Sequence, residues 1–313
     1  MIIQNTVSDP LSNILSLSEL RAKCSVRLQA GGRWALQFRP IELKFNVVRW
    51  GECWLRMDGM APCHLKVGDC FVIARKPFIL ASGLDVEAIN ASDVFSHAGA
   101  SATFGVGDDV ELLGGSVSMV GPTATELLDV LPPALIIRAE SAGASSFGWL
   151  LDELDREWQS NQPGAHVMSN DLLRLIFVRA LRHHISVADA ADLNWLGALG
   201  DPIIAAALRA IHGALDKPLR LAEMARMAGM SRSGFAALFK ARLGRAPVEY
   251  ATRWRMHVAA SLLRNGRGKI TTVAASLRYL SNAAFGAAFR RVHGKSPGQY
   301  RRDCSTAKLA SQK

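Results

Sequence analysis

No stretch of about 18 to 20 uncharged apolar residues occurs in this 313-residue chain. Even DLLRLIFVRAL carries Arg174 and Arg179 inside it, so no helical membrane span is expected. The opening MIIQNTVSDPLSNILSLSEL has neither a basic start nor a signal-type apolar stretch ending in small residues, which predicts a soluble, cytoplasmic protein. Cysteine is sparse: Cys24, Cys53, Cys63, Cys70 and Cys304 include no CxxC pair. Their odd count fits reduced, mostly buried thiols rather than a disulfide framework. Histidine offers no HExxH or HxH pattern, and His183 and His184 are adjacent on a predicted helix, where neighbours point about 100° apart. No metal or other cofactor is expected.

Acidic residues are scarce where basic ones are dense. From Asp201 to Lys313 there are 21 Lys and Arg against 5 Asp and Glu, a net charge of +16, which leaves −6 for residues 1–200 and +10 for the chain. Such a segment suits a polyanion, because a phosphate backbone that releases counterions rewards a cationic surface. A solvated basic face is the plainer reading of charge alone.

A repeat sharpens the choice. FAALFKARLGRAPVEY, from Phe235, returns as FGAAFRRVHGKSPGQY, from Phe285, an offset of 50 that also sets Ser231 on Ser281 and Ala225 on Ala275. In the first copy Leu219, Leu221, Met224, Ala225 and Ala228 mark one helix face and Gly229 ends it. Ser231 then caps a second helix with a stripe of Phe235, Leu238, Phe239 and Leu243, which Gly244 stops. The second copy repeats this with Ile270, Val273, Ala274 and Leu277, then Ser281, Phe285, Phe289 and Val292. Two short helices about a tight turn form a helix-turn-helix, whose second helix can enter a major groove. Between the copies, Pro247 opens a segment with Tyr250, Trp254, Val258 and Leu262 spaced by four, which predicts a long connecting helix.

LAEMARMAGMSRSGFAALFKARLGRAPVEYATRWRMHVAASLL and ITTVAASLRYLSNAAFGAAFRRVHGKSPGQYRR together resemble the AraC/XylS family of bacterial transcription regulators. The resemblance implies a DNA-binding regulator, an activator by family habit, whose partners are double-stranded promoter DNA, RNA polymerase, a small effector of unknown identity and a second copy of the chain. It maps base-facing positions onto Ser233, Ala236 and Ala237 in the first reading helix, and onto Asn282, Ala283, Gly286 and Ala287 in the second. Many relatives carry Arg, Gln or Trp there. Alanine can meet a thymine methyl but forms no bidentate pair with a purine. Specificity is therefore expected to lean on Arg232, Asn282, methyl contacts and DNA shape. Phosphate contacts are expected from Ser231, Arg232, Lys240, Arg242, Lys269, Thr271, Thr272, Ser281, Arg290, Arg291, Lys295 and Arg301. Relatives also place Gly in the second turn before an aromatic residue. Here Arg278 precedes Tyr279, and Leu280 stands where an acidic residue is common, so that turn is expected to be looser or built differently.

From about residue 20 to 140 the rhythm changes. FNVVRW, CWLRMDG, CHLKVGDCFVIA and PFILAS alternate with Gly, Pro and Asp turns, which predicts an all-β barrel or jelly roll. VGDCFVIARKPFIL resembles the cupin-type sensor found ahead of such DNA-binding pairs. Asn46 and Val48 stand where metal-binding cupins would want histidines, and His64 and His97 read as surface or satisfied core residues, so enzymatic chemistry is not expected. Arg33, Arg39, Trp50 and Arg75 are carried as candidates for the barrel lining. FGWLLDELDREW and DLLRLIFVRALRHHI predict helices, with Trp149, Leu150, Leu154 and Trp158 as one stripe and Leu172, Leu175, Ile176, Arg179 and Leu181 on neighbouring faces of the other. They would pair subunits or cap the barrel.

The expected class is α+β and multidomain: a cupin-like effector domain over 1–140, a helical dimerisation or linker segment over 141–200, a double helix-turn-helix domain over 201–304, and a tail over 305–313. Two alternatives remain. One is a thiol-based oxidant sensor of the same family, with Cys24 as the reactive residue, although LRAKCSVRLQA alternates as a strand and favours a buried thiol. The other is a non-regulatory cupin, binding protein or enzyme, with a basic tail.

Overall fold

The computed structural model describes residues 9–96, 101–140, 144–160, 162–187, 195–215, 217, 219–266 and 268–310. Its strands are β1 (Glu19–Gly31), β2 (Ala35–Phe38), β3 (Leu43–Trp50), β4 (Glu52–Met57), β5 (Met60–Lys66), β6 (Cys70–Ala74), β7 (Phe78–Ala81), β8 (Ile89–Asn90), β9 (Ser101–Gly105), β10 (Val110–Val120) and β11 (Ala134–Ile137). Its helices are α1 (Pro10–Ser16), α2 (Ala91–Phe95), α3 (Ala124–Val130), α4 (Ala144–Ser160), α5 (Ala165–Val187), α6 (Trp195–Ala198), α7 (Pro202–Gly213), α8 (Leu221–Met227), α9 (Arg232–Leu243), α10 (Pro247–Arg264), α11 (Ile270–Ser276), α12 (Asn282–His293) and α13 (Pro297–Ala310).

The chain divides into two compact units. A sheet unit comprises Leu20–Val120 and Leu131–Val187; a helical unit comprises Met1–Glu19, Gly121–Val130 and Ala188–Lys313. Division at residues 140 and 200 is thus crossed in both directions. Helices α1 and α3 pack in the helical unit, while α4 and α5 complete the sheet unit.

In the sheet unit, six strands run in the order β11-β6-β3-β10-β1-β9 and five in the order β5-β4-β7-β2-β8. Leu28, Val48, Phe71, Ile73 and Leu112 of the first sheet share one buried cluster with Leu36, Leu55, Leu65, Phe78 and Leu80 of the second. The two sheets form the all-β architecture that the alternation predicts and that the resemblance makes cupin-like. Period-two geometry gives β3 two different faces. Leu43 and Phe45, with Val72 and Val117, meet Leu173, Ile176 and Phe177 of α5, whereas Val48 joins the core between the sheets. Because both faces of β6 are covered, its CFVIA sequence is apolar without alternation.

The turn before β6 explains the Gly-Asp signal. Gly68 takes a left-handed φ of 84°, and buried Asp69 accepts from the Lys66 and Ala139 backbone N–H groups at 3.1 and 2.8 Å and from Arg138 at 2.8 Å. Helix α4 is tied to the sheet by Arg27–Asp155 at 3.0 Å and by Arg49–Asp152. Leu150, Leu154, Leu172, Ile176 and Leu181 are buried in this layer, but Trp149 and Leu175 are not: they stand 58% and 51% exposed. The expected stripe is therefore split, since α4 buries only the side facing β3.

Between the sheets lies a cavity of about 590 Å³. Of the four candidate lining residues, Arg39 borders it. Arg33 instead pairs with Asp85 near the surface at 3.3 Å, and Trp50 is 66% exposed. Arg75 does not border the cavity either. Cys53, Cys63 and Cys70 are buried free thiols, and burial pushes Cys53 and Cys70 up to about 12, far from thiolate reactivity. Cys24 lies in β1, its side chain outside the described residues; His97 lies outside them altogether. His64 stacks on Trp54 at 4.7 Å and is half-buried.

The helical unit is built around α10. Trp254, Met256, Val258, Ala259, Ala260 and Leu263 are buried along it, together with His257. The four-residue stripe read from sequence is thus too narrow, because α10 packs against α11, α12 and α13 as well as α7 and α9. Glu126 of α3 reaches it too. Its carboxylate accepts from Arg253 Nε at 2.9 Å and lies 2.8 Å from His257 Nε2. Burial opposes its ionisation, but the hydrogen bond and charge of His257, joined by those of Arg253, outweigh burial and hold it down at about 2.

Glu126→Gln should lower the urea midpoint by the equivalent of about 1–3 kcal/mol at pH 7, since half-buried Arg253 and buried His257 lose the carboxylate they are bonded to. As the folded value lies below the ordinary one, the stabilisation is complete above about pH 4.5 and fades as pH falls towards about 2. The wild-type and variant midpoints should accordingly converge across that window; parallel curves would show that the ion pair is not the cause.

Candidate nucleic-acid interface

Both halves of the repeat fold alike. Met224 and Ala225 are buried in α8, as are Val273 and Ala274 in α11. Ser231 caps α9 by accepting from the Gly234 N–H at 3.2 Å, and Ser281 caps α12 by accepting from the Ala284 N–H at 3.2 Å. Gly244 and Gly294 close these helices at left-handed φ values of 71° and 72°. Phe235, Phe239, Phe285 and Phe289 are fully buried; Tyr250 meets Phe239 edge-on at 5.7 Å and Tyr300 meets Phe289 likewise at 5.5 Å. The repeat thus encodes one aromatic lock used twice.

The two turns differ by one residue. Met230 donates its N–H to Ala225, and Tyr279 donates to Ala274, both at 3.0 Å, so Ala225 corresponds to Ala274 rather than to Ala275. The offset is 49 before the turn and 50 after it. Leu280 is the extra residue and projects fully into solvent. Arg278 takes a left-handed φ of 57°, beside 65° for Gly229. The second turn therefore follows the glycine path with an arginine in it, at a cost of about 1 kcal/mol.

The remaining faces of α9 and α12 are open. Arg232, Ser233, Ala237 and Lys240 are exposed on the first helix, with Ala236 half-buried. On the second, Asn282, Ala283, Ala287, Arg290 and Arg291 are exposed, with Gly286 half-buried. The capping residues Ser231 and Ser281, together with Lys269, Thr271 and Thr272 at the start of α11, are exposed as well. Three other cations meet groups of the protein: Arg242 lies 3.7 Å from Asp201, Lys295 pairs with Asp303 at 2.6 Å, and Arg301 approaches the Gly268 carbonyl at 3.5 Å.

Two histidines behind these helices are kept neutral by burial. Desolvation holds His212 down at about 3, and its Nε2 lies 2.9 Å from the Tyr250 hydroxyl, which accepts from Trp195 Nε1 at 3.0 Å. His293, held at about 4 mainly by burial, donates from Nε2 to the Met256 carbonyl at 3.0 Å. These contacts brace the reading helices on α6, α7 and α10 without placing charge behind them. Among the described residues no group of His, Cys, Asp and Glu is arranged to hold a metal ion, and no helix is long and apolar enough to cross a membrane.

Both parts of the chain are similar to known proteins. A family model described as Cupin matches residues 9–186, and one described as Helix-turn-helix domain matches 224–303. An AraC-like transcription regulator of Streptomyces lividans is 39% identical over 299 residues, covering 94% of this chain and 98% of its own. A counterpart from Streptomyces antibioticus is 39% identical over 298 residues with the same coverage. Among solved structures, the DNA-binding domain of AdpA, a global transcriptional factor in complex with a target DNA, is 28% identical and covers 35% of this chain and 97% of its own, with a TM-score of 0.33. The chain belongs to the AraC-like transcription regulators, with a cupin domain preceding a helix-turn-helix DNA-binding domain.

Proposed function

We propose that this regulator is an activator that reads an asymmetric operator across two successive major grooves, α9 in one and α12 in the next. The observation that carries the reading is the shared brace: two equally capped helices pack on one 18-residue helix, α10, the first through Phe239 against Tyr250 and the second through the His293 hydrogen bond to the Met256 carbonyl. At about 1.5 Å per residue that brace is about 27 Å long, on the scale of the ~34 Å between successive groove faces. Ser233, Ala236, Ala237, Asn282, Ala283, Gly286 and Ala287 would face bases, with Asn282 the one side chain among them that can pair bidentately with adenine. Arg232, Lys240, Lys269, Thr271, Thr272, Arg290 and Arg291, with the capping Ser231 and Ser281, would hold phosphates. Arg242, Lys295 and Arg301 would do so by exchanging partners within the protein.

The sheet unit would bind a small effector, and the exposed Trp149 and Leu175 of α4 and α5 favour pairing of two subunits. Contact with RNA polymerase follows from activation, and no catalytic role is assigned to any residue.

Footprinting should reveal protection over about two helical turns. Arg290→Ala should weaken binding to all sequences alike and reduce the salt slope by about 1. Asn282→Ala should relax preference at one base pair by about 1–3 kcal/mol and leave the slope unchanged. Identical behaviour of the two variants across a library of sites would refute the assignment of roles.

A further inference from the structure

A second pocket, of about 420 Å³, lies within the helical unit where the end of α10 meets α13. Arg264 and Asn265 border it from the first helix, and Arg301, Arg302, Ser305 and Thr306 from the second. Its volume falls within the ~300–1,000 Å³ of small-molecule sites, but the usual apolar lining is missing. Leu263 is the one apolar side chain among its described borders, so a hydrocarbon body has little to lie on. The hydroxyl protons are already used. Ser305 donates to the Arg301 carbonyl at 3.0 Å and Thr306 to the Arg302 carbonyl at 3.1 Å. The strongest donors left are the guanidinium groups.

Charge decides what these groups suit. Arg264, with its side chain 17% exposed, is bonded to Glu19 at 3.1 Å. Arg301 reaches the Gly268 carbonyl at 3.5 Å and Arg302 is exposed; neither meets a carboxylate among the described residues. No described carboxylate borders the pocket either. Against them stands the carboxyl end of α10, which carries about half a negative charge. Two uncompensated guanidiniums less that half leave an excess of about +1.5. A monoanion falls short of this excess, and a dianion balances it.

We infer that this pocket binds a doubly charged phosphate group carried by a small polar molecule, with Arg301 and Arg302 as the two forks that hold it. Arginine meets phosphate oxygens in pairs, which fixes orientation as well as charge. A phosphate monoester carries about −1.5 to −2 at neutral pH, whereas each link of a DNA backbone carries about −1. The charge balance therefore favours a free monoester over a backbone phosphate. Arg301 is shared with the backbone contacts proposed above, so Arg302, which is not among them, reports on the pocket.

Calorimetry on the full chain at low ionic strength tests this with three probes: glycerol 3-phosphate, dimethyl phosphate and glycerol. The monoester should bind saturably at one per chain, the singly charged diester at least about tenfold more weakly, and glycerol not measurably. Arg302→Gln, a change at an exposed position, should lower monoester affinity about tenfold, with far-UV circular dichroism confirming that the helices are intact. Absence of saturable monoester binding, equal binding of monoester and diester, or monoester binding indifferent to Arg302→Gln would overturn the inference. So would a promoter-binding salt slope reduced by about 1 in Arg302→Gln, because that places a backbone phosphate in the pocket. Loss of promoter binding with monoester binding intact would fell the regulator reading and leave this site standing.

Discussion

A helix in contact with water on one side can shift or tilt at little cost, but from Trp254 onward α10 has almost no such side. Trp254, Met256, Val258, Ala259, Ala260 and Leu263 are buried around it, and its His257 is buried against Glu126. Close packing on that scale leaves few rearrangements open. Everything that faces DNA inherits this stiffness, because Phe239 and Tyr250 lock the first pair at one end and Phe289, His293 and the Met256 carbonyl lock the second. The reading surfaces themselves are then free to be small and weakly functionalised. Ala236, Ala237, Ala283, Gly286 and Ala287 bring little hydrogen-bonding capacity, and recognition through position and DNA shape is the role proposed for such a surface.

The path of the backbone ties the sheet unit to the helical unit by covalent means. It passes between the two units at Glu19/Leu20, Val120/Gly121, Val130/Leu131 and Val187/Ala188. Helix α3 is the shortest of these excursions, leaving after β10 and returning before β11, and it carries the Glu126 that holds α10. A long strand of the six-stranded sheet and a carboxylate that grips α10 are thus a few residues apart.

Local signals were readable from residues alone and non-local ones were not. Ser231 and Ser281 as caps, Gly244 and Gly294 as stops, and the Phe pairs as core depend on spacings within one or two helices, and the folded chain uses them as their pattern implies. The repeat register misled at Ala275, because Ala274 and Ala275 are adjacent alanines and only the hydrogen bond of Tyr279 tells them apart. The extra residue, Leu280, is hidden for that reason. Glu126 lies in GPTATELLDVLPP, where nothing announces a partner more than a hundred residues away. In the sheet unit, alternation located the strands, but the cavity border depends on the pairing of β3 with β10, which no strand sequence records, and Arg39 was the one candidate of four to reach it.

The interleaving of α1 and α3 with the carboxyl-terminal helices bears on how the protein can be dissected. Leu11 and Leu15 of α1 are buried in the helical unit, where α1 packs on α7. A fragment cut at the start of α7 would surrender that apolar cover and leave Arg253 and His257 without Glu126. The reading half is woven from three separate lengths of polypeptide, so its integrity belongs to the intact chain.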